Sequence, residues 1–172
     1  MKNFCVTGPD NKEYWISRSM AVLVMVIAKD KDNNKYVLAV KRGEGTPDPE
    51  YVGAYCMPCG YLDYGETLKH AAIRELKEET GLEAHELQIK LMGINDDPSE
   101  DKRQNVTFRY RIDAIKSVES LSKELTSLYS EEDEVSDIVF INLKDINKYK
   151  WAFNHDELIK RYTNYDTVNI GY

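Results

Sequence analysis

Residues 60–82 read Gly60-Tyr61-Leu62-Asp63-Tyr64-Gly65-Glu66-Thr67-Leu68-Lys69-His70-Ala71-Ala72-Ile73-Arg74-Glu75-Leu76-Lys77-Glu78-Glu79-Thr80-Gly81-Leu82. The spacing predicts a helix over 68–80, with Thr67 as its N-cap and Gly81 just past its end. At ~100° per residue, Glu75, Glu78 and Glu79 fall within an arc of about 100°. Leu68, Ala71 and Ala72 occupy the same face one and two turns earlier, so the face begins apolar and ends as three carboxylates. Like charges at i,i+3 and i,i+4 repel, and the dipole at a helix C-terminus disfavours anions. Selection for stability alone would avoid this pattern. A hard divalent cation with oxygen ligands, Mg²⁺ or Mn²⁺, is the natural compensator, and Arg74 is placed to pair with a neighbouring carboxylate and orient it. The competing reading of three glutamates by themselves is a solvated acidic face.

Working outward, 20–28 is a continuous apolar, β-branched run and reads as a strand buried on both faces. A polar turn over 29–34 leads to a second buried strand, 36–40, which ends at Lys41-Arg42. Residues 43–49 hold two Gly and two Pro and read as loop. A short strand is expected at 54–57, further strands at 87–94, 105–115 and 135–143, and a closing helix at 153–162. The segment 117–134 is polar and acidic, with some helix expected. Residues 3–17 read as a hairpin turning at Gly8-Pro9-Asp10-Asn11. We therefore divide the chain into an N-terminal hairpin extension, 1–17, and one domain, 18–172. Strands and helices mix without regular alternation, which predicts a mixed sheet flanked by helices.

The 172 residues, 42% hydrophobic and 31% charged, suit a globular domain with its own core. No apolar run approaches the ~20 residues of a membrane span, and the first ten residues lack the apolar core of a signal peptide. A cytoplasmic protein is expected. The formal charge of −7 and pI of about 5.1 argue against a nucleic-acid partner. The odd count of three cysteines fits a reducing compartment. Cys56-Met57-Pro58-Cys59 is a C-x-x-C, but it has neither the helix start of a redox dithiol nor the second pair of a zinc site. It reads as two small residues beside a turn.

The fixed positions are Gly60, Glu66 after five residues and, after seven more, Arg74-Glu75-Leu76-Lys77-Glu78-Glu79-Thr80-Gly81-Leu82. This pattern matches the Nudix box throughout, a coincidence on the order of 10⁻⁷ at these residue frequencies. The chain resembles a Nudix hydrolase from about residue 18 onward. The resemblance implies an α/β/α sandwich around a mixed sheet, and hydrolysis of a diphosphate linked to another moiety. It also implies that Glu75, Glu78 and Glu79 bind Mg²⁺ or Mn²⁺, with Glu66 and Arg74 in support. A metal-binding backbone carbonyl is expected at Cys59, where the family often has Gly. The catalytic base is either Glu75 or Glu134, which precedes the aromatic strand residue Phe140 on an acidic loop. Arg42, just past a buried strand, is a candidate for substrate phosphate, against a plain surface arginine.

For the substrate, residues 95–107 resemble the segment after the box in ADP-ribose pyrophosphatases. Pro98 stands sixteen residues after Leu82, although Glu100 and Lys102 depart from that pattern. Ala152-Phe153-Asn154-His155 resembles a Phe-Asp-His element of ADP-ribose-linked Nudix domains, against a packing Phe and a His that caps a helix. Together they point to ADP-ribose or a related nucleotide sugar, a small-molecule nucleoside diphosphate derivative. The alternatives are a house-cleaning nucleoside triphosphate pyrophosphatase and a non-catalytic nucleotide-binding sensor. Tyr14 and Trp15 on the hairpin suggest a homodimer contact, as in many diphosphate-sugar Nudix enzymes.

Overall fold

The computed structural model describes residues 4–99, 103–126 and 133–164. Strands β1 (Phe4–Thr7) and β2 (Glu13–Ile16) form a separate two-stranded hairpin. Its turn closes through Gly8 N–H on the Lys12 carbonyl at 2.8 Å, with Asn11 in the left-handed region at φ 59°. The main sheet is built on β3 (Met20–Lys29) and β4 (Lys35–Arg42). It continues with β5 (Tyr55–Cys56), β6 (Cys59–Tyr61), β7 (Lys90–Asn95), β8 (Val106–Asp113) and β9 (Val135–Asn142). The strand order is β5-β4-β3-β8-β7, with β6 joined to β3 and β9 to β4. Among the described strand pairs only β3–β8 is parallel, so the sheet is mixed.

The apolar run of β3 has its reason in this arrangement. Val22, Val24, Val26 and Ala28 face one cluster, which includes Ala71, Ala72 and Leu76 of helix α1 (Leu68–Thr80). Leu23, Met25 and Ile27 face the other, with Ile146 and with Ile159 of helix α3 (His155–Asn164). Helices on both faces demand apolar residues at odd and even positions alike. Along one edge, β3 pairs first with β6 (Ala21 to Tyr61, Val22 to Gly60, Leu23 to Cys59) and then, from Ile27, with β4. The sheet forks between these contacts, and α1 crosses beside β6.

Several boundaries differ from those the sequence suggests. The strand expected at 54–57 shortens to β5, and a further, unexpected strand, β6, follows beyond Pro58, which carries no N–H and whose carbonyl accepts from Val24 N–H at 2.9 Å. The strand expected from 87 begins at Lys90, since His85 and Gln88 close a turn on each other. The closing helix starts at His155, not 153, because Phe153 and Asn154 sit at φ 57° and 56°. Leu143 opens a 3-10 turn, Leu143–Lys148, in place of ending the strand. Within 117–134, a short helix α2 covers Val118–Leu121, and residues 127–132 lie outside the described residues. No helix among the described residues is long and apolar enough to cross a membrane.

Helix α1 has the ends that the sequence predicts. Thr67 Oγ1 accepts from His70 N–H at 3.2 Å, and Gly81 stands at φ 74° with its N–H on the Lys77 carbonyl. Replacing Thr67 by Ala removes the cap and is expected to lower stability by about 1 kcal/mol. The measurement is the urea midpoint at unchanged m; an unmoved midpoint would mean that the cap contributes nothing.

Candidate active site

Arg74 organises the carboxylates of α1. One edge of its guanidinium forks onto Glu66, Nε to Oε1 at 2.9 Å and Nη2 to Oε2 at 3.0 Å. Nη1 bridges Glu75 Oε1 at 2.7 Å and Glu78 Oε2 at 3.0 Å. Nη2 also donates to the Tyr61 carbonyl at 2.9 Å, which ties the helix to β6. The Glu66 carboxyl is held below its ordinary range, first by Arg74. Glu75 is pushed up by burial, which outweighs the opposing effect of Arg74.

The three box glutamates are unequal. Glu79 is 7% exposed, whereas Glu75 and Glu78 are half-buried. Oε2 of Glu79 is buried and has no hydrogen-bond partner. Burial pushes the Glu79 carboxyl well above its ordinary range, and Cys56, Glu75 and Glu134 add to this while Arg42 opposes it. An orphaned, buried carboxylate oxygen beside two further glutamates fits a hard divalent cation. Among the described residues, no three such groups converge into a ready-made cage. Arg74 draws Glu75 and Glu78 to itself. An Mg²⁺ site of one or two carboxylates completed by substrate phosphates needs no preformed cage.

The strand beneath is shaped to this face. A Cβ on Gly60 would lie 2.1 Å from Glu75 Oε1, so a side chain there would push the Glu75 carboxylate out of its present position. Cys59 opens β6 opposite Leu23 and is outside the left-handed region, so a side chain is tolerated there. Arg42 Nη1 stands 3.9 Å from the Cys56 sulfur. Interaction with Cys59 first, and then with Arg42, lowers the pKa of the Cys56 thiol, while Cys56 and burial raise that of Cys59.

Glu134 reaches the site through the backbone. Gly43 N–H donates to the Glu134 carbonyl at 2.7 Å and Gly45 N–H to that of Asp133 at 3.0 Å. A Cβ on Gly43 would meet the Asp133 carbonyl at 2.0 Å. The start of β9 is thus clamped where the Glu134 charge is felt by both Glu75 and Glu79. The same place carries an irregularity in the β4–β9 register, between Lys41 and Arg42.

Arg42 is not a surface arginine: it is 7% exposed. Its guanidinium bonds Thr46 Oγ1, lies 3.6 Å from Asp48 and stands 5.1 Å from the Phe153 ring centre. His155 is buried and does not cap a helix with its ring. Its Nδ1 accepts from Met57 N–H at 3.0 Å. Burial first, then Arg109 and Arg42, lower it to about 3 and keep it neutral.

Sequence reasoning missed Arg18, Asp48 and Arg103. Arg18 donates to the carbonyls of Asp96, Gln104 and Asn105, which staples both ends of the Pro98 loop to the entrance of β3. Arg103 runs from that loop to Asp48 and the Tyr61 hydroxyl. A basic residue beside a polar loop gives no local signal of such long-range contacts. Glu100 and Lys102 lie outside the described residues.

The raised Glu79 carboxyl predicts a pH-dependent effect in EDTA. Below the ordinary value of 4.5 the group is neutral folded or unfolded and costs nothing. As pH rises through that value and then through the higher folded one, ionisation increasingly favours the unfolded chain. Glu79→Gln should therefore melt higher than wild type at pH 8, with the gap closing by pH 4, as read by calorimetry. Equal melting temperatures at pH 8 would refute the burial cost.

The NUDIX domain family model matches residues 17–162. An ADP-ribose pyrophosphatase of Methanocaldococcus jannaschii is 32% identical over 154 residues, covering 89% of this chain and 79% of that protein. The NUDIX domain of Shewanella oneidensis NrtR, solved with ADP ribose, superposes with a TM-score of 0.68 at 22% identity, covering 91% of this chain and 92% of that one. A bifunctional NMN adenylyltransferase/ADP ribose pyrophosphatase from Francisella tularensis, solved with AMP and an Mn ion, gives 0.63 at 21% identity, covering 86% of this chain and 42% of that longer one. These two structural likenesses speak for the fold. With the family match over most of its length and the full box running from β6 past the end of α1, the chain belongs to the NUDIX domain family and is a Nudix pyrophosphohydrolase.

Proposed function

We propose that the protein uses Mg²⁺ or Mn²⁺ to hydrolyse the diphosphate of ADP-ribose or a related nucleotide sugar. The observation that carries the metal dependence is the buried, unpartnered Oε2 of Glu79 on a helix face shared with Glu75 and Glu78. The substrate reading is supported by the M. jannaschii relative and by the ADP ribose in the NrtR domain.

In this reading Glu75, Glu78 and Glu79, with the Cys59 carbonyl, hold the metal. When bound, it neutralises phosphate charge and acidifies water. Arg74 and Glu66 are positioning residues, because Arg74 keeps two of the carboxylates oriented until the cation draws on them. Glu134 or Glu75 accepts the proton of the attacking water. That water adds to one phosphorus, the bridging P–O bond breaks, and nucleoside monophosphate and sugar phosphate leave. Arg42 is enclosed by Thr46, Asp48 and Phe153 and acts on the phosphates through its positive charge behind the site, without direct contact. We assign the contact between two copies in a homodimer to the N-terminal hairpin, where Trp15 is 74% exposed on one face and Phe4, Val6 and Ile16 are exposed on the other.

A panel of nucleotides with Mg²⁺ and Mn²⁺ tests the reaction. The expected products from ADP-ribose are AMP and ribose 5-phosphate, with activity lost in EDTA while the fold persists. Glu79→Gln should reduce kcat and kcat/KM together, roughly 100-fold, the scale of losing one electrostatic stabiliser of the transition state. Full turnover in EDTA would overturn the metal mechanism. Nucleoside triphosphates cleaved to monophosphate and pyrophosphate, with ADP-ribose untouched, would select the house-cleaning alternative. For the hairpin, light scattering should show dimers that Trp15→Glu converts to monomers; a wild-type monomer would refute that contact.

A further inference from the structure

Asp48 is held between two guanidiniums. Its Oδ2 lies 3.6 Å from Arg42 Nη2, and its Oδ1 accepts from Arg103 Nη2. Arg103 Nη1 also donates to the Tyr61 hydroxyl at 3.2 Å, and Asn105 Nδ2 stands 3.4 Å from the same oxygen. The two cations differ in freedom. Arg42 is buried among Thr46, Cys56 and the Phe153 ring. Arg103 has a side chain 43% exposed and reaches Asp48 from the Pro98 loop, 55 residues away in sequence. Strand β6 fixes where this cluster lies. A side chain at Gly60 would point to Glu75 on α1, so that of the next residue, Tyr61, points to the opposite face of the strand. The Tyr61 carbonyl holds Arg74 at 2.9 Å, and its hydroxyl holds Arg103. Among the described residues β6 pairs only with β3, which leaves its other edge unpaired. Arg42 is close enough for its charge to act on Glu79. The Arg103–Asp48 pair therefore stands beside the box carboxylates, on the other face of one short strand.

We propose that Arg103 is a specificity-determining residue that contacts the diphosphate of the substrate, and that Asp48 holds its guanidinium until that anion arrives. This inference rests on the diphosphate reading given above. A guanidinium meets a phosphate with the same forked N–H geometry that it offers a carboxylate, so a diphosphate can replace Asp48 on Arg103. The exchange does not strand Asp48, because Arg42 stays beside its other oxygen. Having two cationic partners is what makes Asp48 able to release one of them. In the free protein Asp48 competes with the substrate for Arg103. The two members of the pair thus act in opposite directions: Arg103 raises affinity for an anion, and Asp48 lowers it. A latch that only joined the 43–49 loop to the Pro98 loop would behave otherwise, since loss of either end would loosen the same contact.

The test is titration calorimetry of the full chain in Mg²⁺ with the methylene analogue of ADP, whose P–C–P bridge resists hydrolysis. Arg103→Gln should weaken its binding about tenfold, the scale of losing one hydrogen bond to a charged group. Asp48→Asn should tighten it about threefold, the scale of one partly exposed ion pair. In the double variant the tightening should vanish, because no guanidinium is left to release. Weaker binding in both single variants overturns the proposal in favour of a latch, and unchanged binding in Arg103→Gln, or no binding by wild type, also overturns it. Should Asp48→Asn not fold, nuclear magnetic resonance of the wild type decides: the Nε–H signal absent from Arg103→Lys should shift when the analogue is added, and an unmoved signal overturns the contact. Turnover of ADP-ribose separates this inference from the reading beneath it. A KM unchanged by Arg103→Gln, with ADP-ribose cleaved, overturns the role of Arg103 alone. Arg103-dependent binding of the analogue, with ADP-ribose left intact, overturns the substrate reading and supports the contact.

Discussion

One guanidinium, that of Arg74, stands against Glu66, Glu75 and Glu78, while Glu79 next to them is left buried with an unpartnered oxygen. Two opposing demands meet here. Folding favours a helix face that is apolar and uncharged, and the metal-assisted hydrolysis we propose would need several carboxylates on that face. Arg74 reduces the repulsion by bridging two carboxylates and anchoring itself bidentately on a third. Its hold on the Tyr61 carbonyl carries that order to β6. Glu79 lies on the core side of α1, beside Ala71, Ala72, Leu76 and Thr80, and has no such partner. The apo protein thus carries a local electrostatic cost that a cation would relieve.

Close backbone approach brings the rest of the site to this helix. Gly60 places β6 against Glu75, and Gly43 clamps the start of β9 so that the Glu134 charge joins those of the helix. Both glycines serve by lacking a Cβ, at contacts where added atoms would lie near 2 Å. The fork of β3 between β6 and β4 gives these two approaches their separate directions. Behind the fork, buried Arg42 and His155 and the more exposed Phe153 ring that contacts both form one layer. His155 remains neutral because it is buried, with Arg109 and Arg42 close by. This layer connects α3 to the C-x-x-C turn and gives the Ala152-Phe153-Asn154-His155 element a structural role.

The local elements were the legible part of the sequence. Thr67 and Gly81 bracket α1 because caps act within a turn of the residues that supply them, and 20–28 reads as a doubly covered strand because burial on both faces leaves no polar position. The extra strand β6 beyond Pro58 and the late start of α3 after two left-handed residues were not legible. Short apolar segments do not reveal which carbonyl or ring they will meet, and a left-handed Phe or Asn is set by its surroundings. The C-x-x-C shows the same limit. Its spacing is compatible with two inert residues, and only the folding of β5 onto β4 and β6 onto β3 sets Cys56 opposite Val40 and Cys59 opposite Leu23.

The sequence by itself determined the family, the helix, the ladder of carboxylates and the arginine among them, because these depend on spacing within a few turns of one helix. Tertiary structure decided which glutamate is buried, that Arg42 points inward, and that Glu134 lies beside the box. It also stapled the Pro98 loop through Arg18, from 78 to 87 residues away in sequence. Each of these outcomes comes from a contact between distant segments, such as the bond between Met57 and His155 across 98 residues. Charge, burial and close approach are properties of the assembled surroundings, so they become defined only when the sheet brings those segments together.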